Sequence, residues 1–72
     1  MSIDMIGVDS SNMAKIGHDA ENDVLRVEFK GGVTYDYQNV DQSEFEDLHD
    51  AGSVGSHFHQ NIKTAKMFRK VD

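Results

Sequence analysis

The chain has 72 residues, no cysteine and a net charge of −6 at neutral pH. This length supports one hydrophobic core, and the lack of cysteine excludes disulfide bonds as its reinforcement. Because an acidic surface repels phosphate backbones at long range, the charge argues against indiscriminate binding of long DNA or RNA.

The first residues match neither a secretory leader nor a membrane span. Their apolar side chains come singly or in pairs, and no Lys or Arg precedes Lys15. A leader needs a basic start and a continuous apolar run, and a membrane helix needs about 20 apolar residues. We therefore expect a cytoplasmic protein with no membrane contact. Residues 1–72 should form one domain with a flexible N-terminus at residues 1–8, stabilised further by association into a homo-oligomer.

Two half-buried strands come next. Residues 14–19 and 24–30 alternate apolar and polar side chains, which is the period of a strand with one face on the core. With residues 20–23 as the turn, Asp19 lies opposite Val24. This register predicts one set of side chains on the core face: Ala14, Ile16, His18, Leu25, Val27 and Phe29.

The segment KGGVTYDY, residues 30–37, adds a turn and a third strand. Tyr35 and Tyr37 are two residues apart, so both lie on one face of that strand. If the face is the core, the tyrosines are structural. If it meets solvent, they form an aromatic surface of the kind that stacks nucleobases.

The length of the turn decides between these two positions. A turn of two residues would place Asp36 against Val27 on the apolar face. A turn of three residues, with one glycine in the left-handed conformation, places Tyr35 against Val27 and Tyr37 against Leu25. Burial of an unpaired Asp36 would cost more than about 1 kcal/mol. We therefore predict the three-residue turn and core-facing tyrosines.

A helix follows, with signals at both ends. Asp41 is suited to the N-cap, Glu44 completes a capping box, and Gly52 provides the stop. The pattern predicts a helix over residues 42–51, with an apolar side on the sheet and an acidic side in water.

A second, short helix is predicted to open at Ser53 or Ser56 and to bring Phe58 to the same core. Residues 64–71 fit either the end of that helix or a fourth strand. The fold class is therefore α+β: a small antiparallel three-stranded meander, with the fourth C-terminal strand left open, and one or two helices packed on one face.

The charges are unevenly distributed along the chain. Residues 1–50 carry twelve acidic and three basic side chains, whereas residues 51–72 carry four basic and one acidic. We call the four basic residues the basic segment: Lys63, Lys66, Arg69 and Lys70. It is either a site for an anionic ligand or an ordinary solvated end of the chain.

Several short motifs, in this order, resemble the KTSC domain. They are SSN at residues 10–12, YxY at residues 35–37 and AxSxG at residues 51–55, and the likeness extends from about residue 8 to the end. That family is named after an extension at the C-terminus of some lysyl-tRNA synthetases, and it includes free-standing small bacterial and phage proteins. The resemblance implies RNA binding through the synthetase association. This chain departs from the family pattern at His18, where an aromatic residue is usual.

No catalytic motif is present, and we predict neither enzymatic activity nor a cofactor. His57 and His59 could share a metal ion on an extended strand, but on a helix they diverge, and the sequence positions no third ligand. We therefore predict no metal site. The SSN run could present hydroxyl groups to a phosphate, although such runs more often bond their own backbone.

Two functional hypotheses follow. The first is a noncatalytic module that binds RNA or a small nucleotide through the basic segment and nearby polar side chains. Its proposed ligand contacts are Asn12, His57, His59, Asn61, Lys63, Lys66, Arg69 and Lys70. The second is a protein-interaction module, phage-encoded, whose acidic helix face binds a basic protein surface and inhibits a host or defence protein. That face comprises Glu44, Glu46, Asp47 and Asp50.

Overall fold

Five antiparallel strands form one sheet in chain order, and the helices cover one of its faces in the computed structural model, which describes residues 3–71. The elements are β1 Met5–Gly7, β2 Met13–Asp19, β3 Val24–Phe29, β4 Thr34–Tyr37, α1 Gln42–His49, α2 Val54–Phe58, a π-helical segment His59–Lys63, and β5 Phe68–Val71. The predicted α+β class is confirmed. The predicted three or four strands are too few, because β1 and β5 both join the meander.

The turn between β3 and β4 has the predicted length. The Phe29 amide donates to the Val33 carbonyl oxygen at 2.8 Å. Gly32 has a φ of 92°, which residues with a side chain rarely adopt. Tyr35 lies opposite Val27, and Tyr37 lies opposite Leu25. The sheet register and the inward position of both tyrosines are therefore confirmed.

The register between β2 and β3 is correct except at its far end. Asp19 lies opposite Val24 as predicted, but a bulge at Ala14 places Met13 opposite Phe29. Met13 is fully buried, whereas Ala14 is only half-buried. The prediction that Ala14 occupies the core position is wrong, because the extra residue of the bulge resets the alternation of side chains.

Residues 5–7, within the segment expected to be flexible, form β1 at the sheet edge and pair with β2. Residues 1 and 2 of that segment lie outside the described residues. The N-terminal segment lies so close to β2 that residue 17 must be glycine, because a Cβ on Gly17 would lie 2.6 Å from the Asp4 carbonyl oxygen.

Helix α1 begins with the predicted capping box. The Glu44 amide donates to Asp41 Oδ1 at 2.8 Å, and the Asp41 amide donates to Glu44 Oε1 at 3.4 Å. The helix ends at His49, two residues before the predicted end. Ser53 is the N-cap of helix α2, and its hydroxyl accepts from the Ser56 amide at 3.4 Å.

The core lies between the sheet and the helices. Its buried apolar members are Met13, Ile16, Leu25, Val27, Tyr37, Val40, Phe45, Leu48, Val54, Phe58 and Ile62. His18, at the edge of this core, stacks on Phe45 with ring centroids 5.1 Å apart, so its imidazole takes the place of an aromatic ring. Within residues 3–71, neither helix has the length and apolar character needed to cross a bilayer.

Candidate binding groove

A cavity of about 470 Å³ opens between the β3–β5 half of the sheet and the segment formed by α2 and the π-helical turn. Five aromatic side chains from separate parts of the chain line it: Phe29, Tyr35, Tyr37, Phe58 and Phe68. We call it the aromatic groove. An apolar cleft with a few polar groups at its margin is the usual form of a small-molecule site.

The floor of the aromatic groove consists of closely packed rings. Phe58 meets Tyr37 edge-on, with centroids 5.1 Å apart, and meets Phe29 in the same way at 6.0 Å. Tyr37 is only 4% exposed, and burial raises the pKa of its phenol above the ordinary value, with the nearby Tyr35 adding to the rise. The Tyr37 phenol is therefore neutral at physiological pH.

The wall of the groove is more open. Tyr35 is half-buried, and Phe68 is 59% exposed although it contacts both tyrosines. The two rings meet edge-on with centroids 5.5 Å apart. Tyr37 is thus a core residue, whereas Tyr35 and Phe68 keep aromatic surface available to a planar ligand.

Three of the eight predicted ligand contacts, Asn12, His59 and Lys63, line this groove. Lys70 lies directly opposite Tyr35 in the β4–β5 pairing, so it is on the same face of the sheet. The structure therefore brings half of the predicted set to one surface. Two of these side chains are lysines, Lys63 in the groove lining and Lys70 on the same face of the sheet.

A second, polar recess of about 520 Å³ continues from the aromatic groove and shares Asn12, Gly55 and His59 with it. Its remaining lining is short and polar: Asp9, Ser10, Ser11, Ser53, Ser56 and Gln60. A Cβ on Gly55 would lie 3.0 Å from Ser10 Oγ, so the SSN and AxSxG motifs pack directly against each other. Two of the three motifs of the family resemblance, SSN and AxSxG, thus form one side of the candidate site.

The SSN run also bonds its own backbone, as expected. The Ser10 hydroxyl accepts from the amides of Asn12 and Met13, each at 3.4 Å, and donates to Asn12 Oδ1 at 3.1 Å. These bonds hold the Asn12 side chain at the junction of the two cavities.

His57 and Asn61 lie elsewhere, in a recess of about 210 Å³ beside Glu44 and Asp47. Because the backbone is helical at His57 and continues in a π-helical turn, His57 and His59 line different recesses. Among residues 3–71, no group of three or more His, Asp or Glu side chains is arranged to hold a metal ion.

The basic segment does not act as one cluster. The Lys66 ammonium donates to the Asn39 carbonyl oxygen at 2.7 Å and lies 2.9 Å from Glu44 Oε2, and its side chain is only 18% exposed. Arg69 lies opposite Asp36, on the face of the sheet away from the helices. Lys66 thus joins the β4–α1 connection to the chain that precedes β5, and only Lys63 and Lys70 remain on the groove side.

The acidic face of α1 is only partly free. Glu44 is used in the capping box and in the ion pair with Lys66, and Glu46 Oε2 accepts from the side-chain amide of Gln42 (Nε2) at 2.9 Å. Glu46, Asp47 and Asp50 are exposed. A basic protein surface would therefore meet three carboxylates here rather than four.

The aromatic lining was not among the predicted ligand contacts. The sequence placed Tyr35 and Tyr37 on the core face, which is correct, but it did not show that this face opens into a cavity. The missed signal was the spacing of Phe68 and Lys70. They are two positions apart, so in a strand both side chains lie on one face.

The family model for the KTSC domain matches residues 9–65. The chain belongs to the KTSC domain family. An uncharacterized protein of Stutzerimonas stutzeri is 36% identical over 58 residues, which cover 81% of this chain and 82% of that protein. The crystal structure of a KTSC domain protein from Yersinia pestis superposes with a TM-score of 0.93 at 30% identity, and the match covers 99% of this chain and 100% of that one. The β1 and β5 edges of this KTSC domain lie outside the residues that the family model matches.

Proposed function

We propose that this KTSC domain is a noncatalytic binding module of the cytoplasm that holds a nucleotide, either free or as an exposed unit of single-stranded RNA. The base would occupy the aromatic groove. The observation that supports this proposal is the coincidence of a partly open aromatic wall, formed by Tyr35 and Phe68, with Lys63 in the lining of the same groove.

The aromatic wall and the lysines of this site match the base and the phosphate of a nucleotide. Stacking of a base on an aromatic side chain contributes about 1–3 kcal/mol and tolerates any base. An ammonium group beside the ring attracts the phosphate, and Lys63 and Lys70 are placed on the groove side to do so. Asn12 and His59, at the junction with the polar recess, offer hydrogen bonds to the sugar or the base edge.

The charge of the chain favours a short ligand. At a net charge of −6, the domain repels a long polyanion, while two local lysines still attract one or two phosphates. Lys66 is already bonded to Glu44, and Arg69 lies on the opposite face of the sheet. The proposed site is therefore narrower than the whole basic segment.

The test is an NMR titration of the ¹⁵N-labelled chain with 5′-AMP, 5′-UMP and hexauridylate. We expect shifts at residues that line the aromatic groove and at least tenfold weaker binding for Lys63→Ala, because a hydrogen bond to a charged group contributes about 1.5–3 kcal/mol. Lys15→Ala is the matched control, since Lys15 is an exposed lysine of β2 outside the groove lining.

Equal weakening by both substitutions would show a diffuse charge effect and would contradict the site. Absence of shifts with all three probes at millimolar concentration would reject the proposed function. Mass spectrometry of small molecules released from the heat-denatured protein would identify a copurified nucleotide. Light scattering on the same sample would test the proposed homo-oligomer.

The exposed carboxylates of α1 support a second candidate function. Glu46, Asp47 and Asp50 would bind a basic surface of a host or defence protein, as a phage-encoded inhibitor would require. Replacing Glu46 and Asp47 by Lys should remove such an interaction and leave nucleotide binding unchanged. This pair of substitutions separates the two candidates.

A further inference from the structure

Strand β5 is the last strand of the sheet, so one of its sides pairs with β4 and the other has no neighbouring strand among residues 3–71. The pairing with β4 places Tyr37 opposite Phe68, and the Gln38 amide donates to the Met67 carbonyl oxygen at 2.8 Å. Gln38 and Met67 are therefore a hydrogen-bonded pair of the antiparallel ladder.

This assignment fixes the direction of every backbone group in β5. Hydrogen-bonded and non-hydrogen-bonded pairs alternate along an antiparallel ladder, so Arg69 and Val71 also direct their amide and carbonyl groups toward β4. Phe68 and Lys70 direct theirs away from the sheet. The outer edge thus offers two donors and two acceptors, spaced for an added strand.

The side chains of this edge are apolar at one end and basic at the other. Met67 is 77% exposed and Phe68 is 59% exposed, while Arg69 and Lys70 are both exposed. Phe68 and Lys70 face the groove side, and Arg69 faces the opposite side. An added strand would therefore meet a positive charge on each of its two faces.

We propose that the outer edge of β5 binds an extended acidic peptide segment of another protein as a sixth strand. In an antiparallel arrangement, the partner places an apolar residue opposite Phe68 and acidic residues opposite Arg69 and Lys70. Backbone bonds of this kind supply affinity, and the cross-strand pairs supply selectivity. This proposal goes beyond nucleotide binding and does not depend on it.

The same charges disfavour a second copy of β5 as the occupant. Two β5 strands could pair antiparallel so that Phe68 of each copy bonds Lys70 of the other. In this register, Arg69 lies directly opposite Arg69 of the second copy. Like charges directly opposite each other on neighbouring strands are destabilising. A partner strand that carries carboxylates at these positions removes the repulsion and gains attraction.

The proposed peptide site and nucleotide site share Phe68 and Lys70, but Lys63 belongs only to the nucleotide site and Arg69 only to the peptide site. Lys63 lines the groove and is not part of β5, whereas Arg69 faces the other side of the sheet. Lys63→Ala should therefore weaken the nucleotide alone, and Arg69→Glu should weaken the peptide alone. The two proposals can fail separately.

The experiment measures amide hydrogen exchange by NMR in the full chain, with the blocked peptide acetyl-Thr-Glu-Glu-Val-Thr-amide as the probe. At saturation, we expect the amide protons of Phe68 and Lys70 to exchange at least tenfold more slowly. The amides of Arg69 and Val71, which already pair with β4, should change little. A control peptide with Lys in place of both Glu residues should cause no slowing.

Two substitutions at one position isolate the backbone contribution. Lys70→Ala and Lys70→Pro remove the same charge, but only proline removes the outward amide, and an edge position tolerates it. Lys70→Pro should bind the probe at least threefold more weakly than Lys70→Ala. Thermal unfolding of both variants confirms that each retains the fold.

Three results would overturn the proposal. The first is unchanged exchange at Phe68 and Lys70 with several millimolar probe, and the second is an equal response to the control peptide. The third is protection of these two amides in the peptide-free protein that increases with protein concentration, which would assign the edge to a second copy.

Discussion

Phe68 lies edge-on against Tyr35, with ring centroids 5.5 Å apart and ring planes at 85°. Tyr35 meets Phe29 in the same manner at 5.9 Å, so the wall of the aromatic groove is a row of rings that orient one another. A surface that is ordered before the ligand arrives loses less entropy on binding, which favours recognition of a planar ring.

Replacement of Phe68 tests this wall directly. Phe68→Ala should weaken nucleotide binding at least about fivefold, because one stacking surface is lost. The free energy of unfolding should change by about 1 kcal/mol or less, since most of the side chain is exposed. Isothermal calorimetry and urea unfolding measure the two effects.

Met67→Ala is the matched control for Phe68→Ala. Met67 is the adjacent residue and is more exposed, but it is not part of the groove lining. Its replacement should leave nucleotide binding unchanged. Similar losses for the two variants would mean that the wall is not the binding surface.

A methyl group at Gly17 should loosen β1. Its Cβ would lie 2.6 Å from the Asp4 carbonyl oxygen and from the Ile3 side chain, so the N-terminal segment must move. We expect Gly17→Ala to lower the free energy of unfolding by about 1–3 kcal/mol. Faster amide exchange at Val8, which donates to the Ala14 carbonyl oxygen, would report the separation of the strands.

Gly31→Ala provides the comparison, because no neighbouring atom lies within 4 Å of a Cβ at Gly31. It should change stability by less than about 0.5 kcal/mol. A Gly17→Ala variant as stable as Gly31→Ala would show that the edge strand adapts without loss.

The ion pair between Arg26 and Asp36, on the face of the sheet away from the helices, should contribute to the stability of the fold. Asp36 is only 6% exposed, and Arg26 holds it through Nε at 2.8 Å and Nη2 at 3.0 Å, which also keeps the pKa of Arg26 above its ordinary value. Arg26→Met removes both of these hydrogen bonds to a buried carboxylate and should lower stability by about 2 kcal/mol or more.

The double variant Arg26→Met with Asp36→Val distinguishes pairing from packing. Removing both charges should recover most of the loss, because two apolar side chains can replace a buried pair. Urea unfolding of both single variants and the double variant forms a thermodynamic cycle. If the double variant is as unstable as the Arg26→Met variant, the loss comes from packing around the side chain stems.

Tyr37 should make the domain sensitive to alkaline pH. Its folded-state pKa is raised by burial, with Tyr35 adding to the rise, so the folded state favours the neutral phenol. This contribution is complete below the unfolded pKa of about 10 and is lost as the pH rises through the folded-state pKa. The midpoint of urea unfolding should therefore fall more steeply above about pH 10 than it does in Tyr37→Phe.

Tyr37→Phe removes the ionisable group and keeps the ring against Phe58. Equal slopes for wild type and Tyr37→Phe between about pH 9 and 11 would assign the alkaline loss to other groups, such as the lysines.

The hairpin register shows how much local sequence can decide. A charged side chain on the apolar face is costly, so the position of Asp36 excluded the two-residue turn and oriented both tyrosines. The capping box of α1 was equally readable, because its two residues are three positions apart. The bulge at Ala14 could not be predicted, because apolar–polar alternation alone assigns the core position to Ala14, whereas in the folded sheet Met13 takes it.

The candidate site depended on contacts between distant parts of the chain. The sequence placed four basic residues together, but Lys66 pairs with Glu44, 22 residues away, and Arg69 lies on the opposite face from Lys70. Phe68 reaches the groove only because β5 pairs with β4, although both helices separate these two strands in the sequence. Proximity along the chain therefore overestimated the basic cluster and missed the aromatic one.

The sequence by itself determined the family, through three short motifs in a fixed order. It also determined the α+β class, the meander of β2–β4 and the capped helix, because strand periods, turns and caps depend on residues within a few positions of one another. Only the tertiary structure decided which strands form the edges and which aromatic faces stay open. It also decided which lysines remain free to meet a ligand. These features arise when distant segments compete for the same space and the same hydrogen-bond partners.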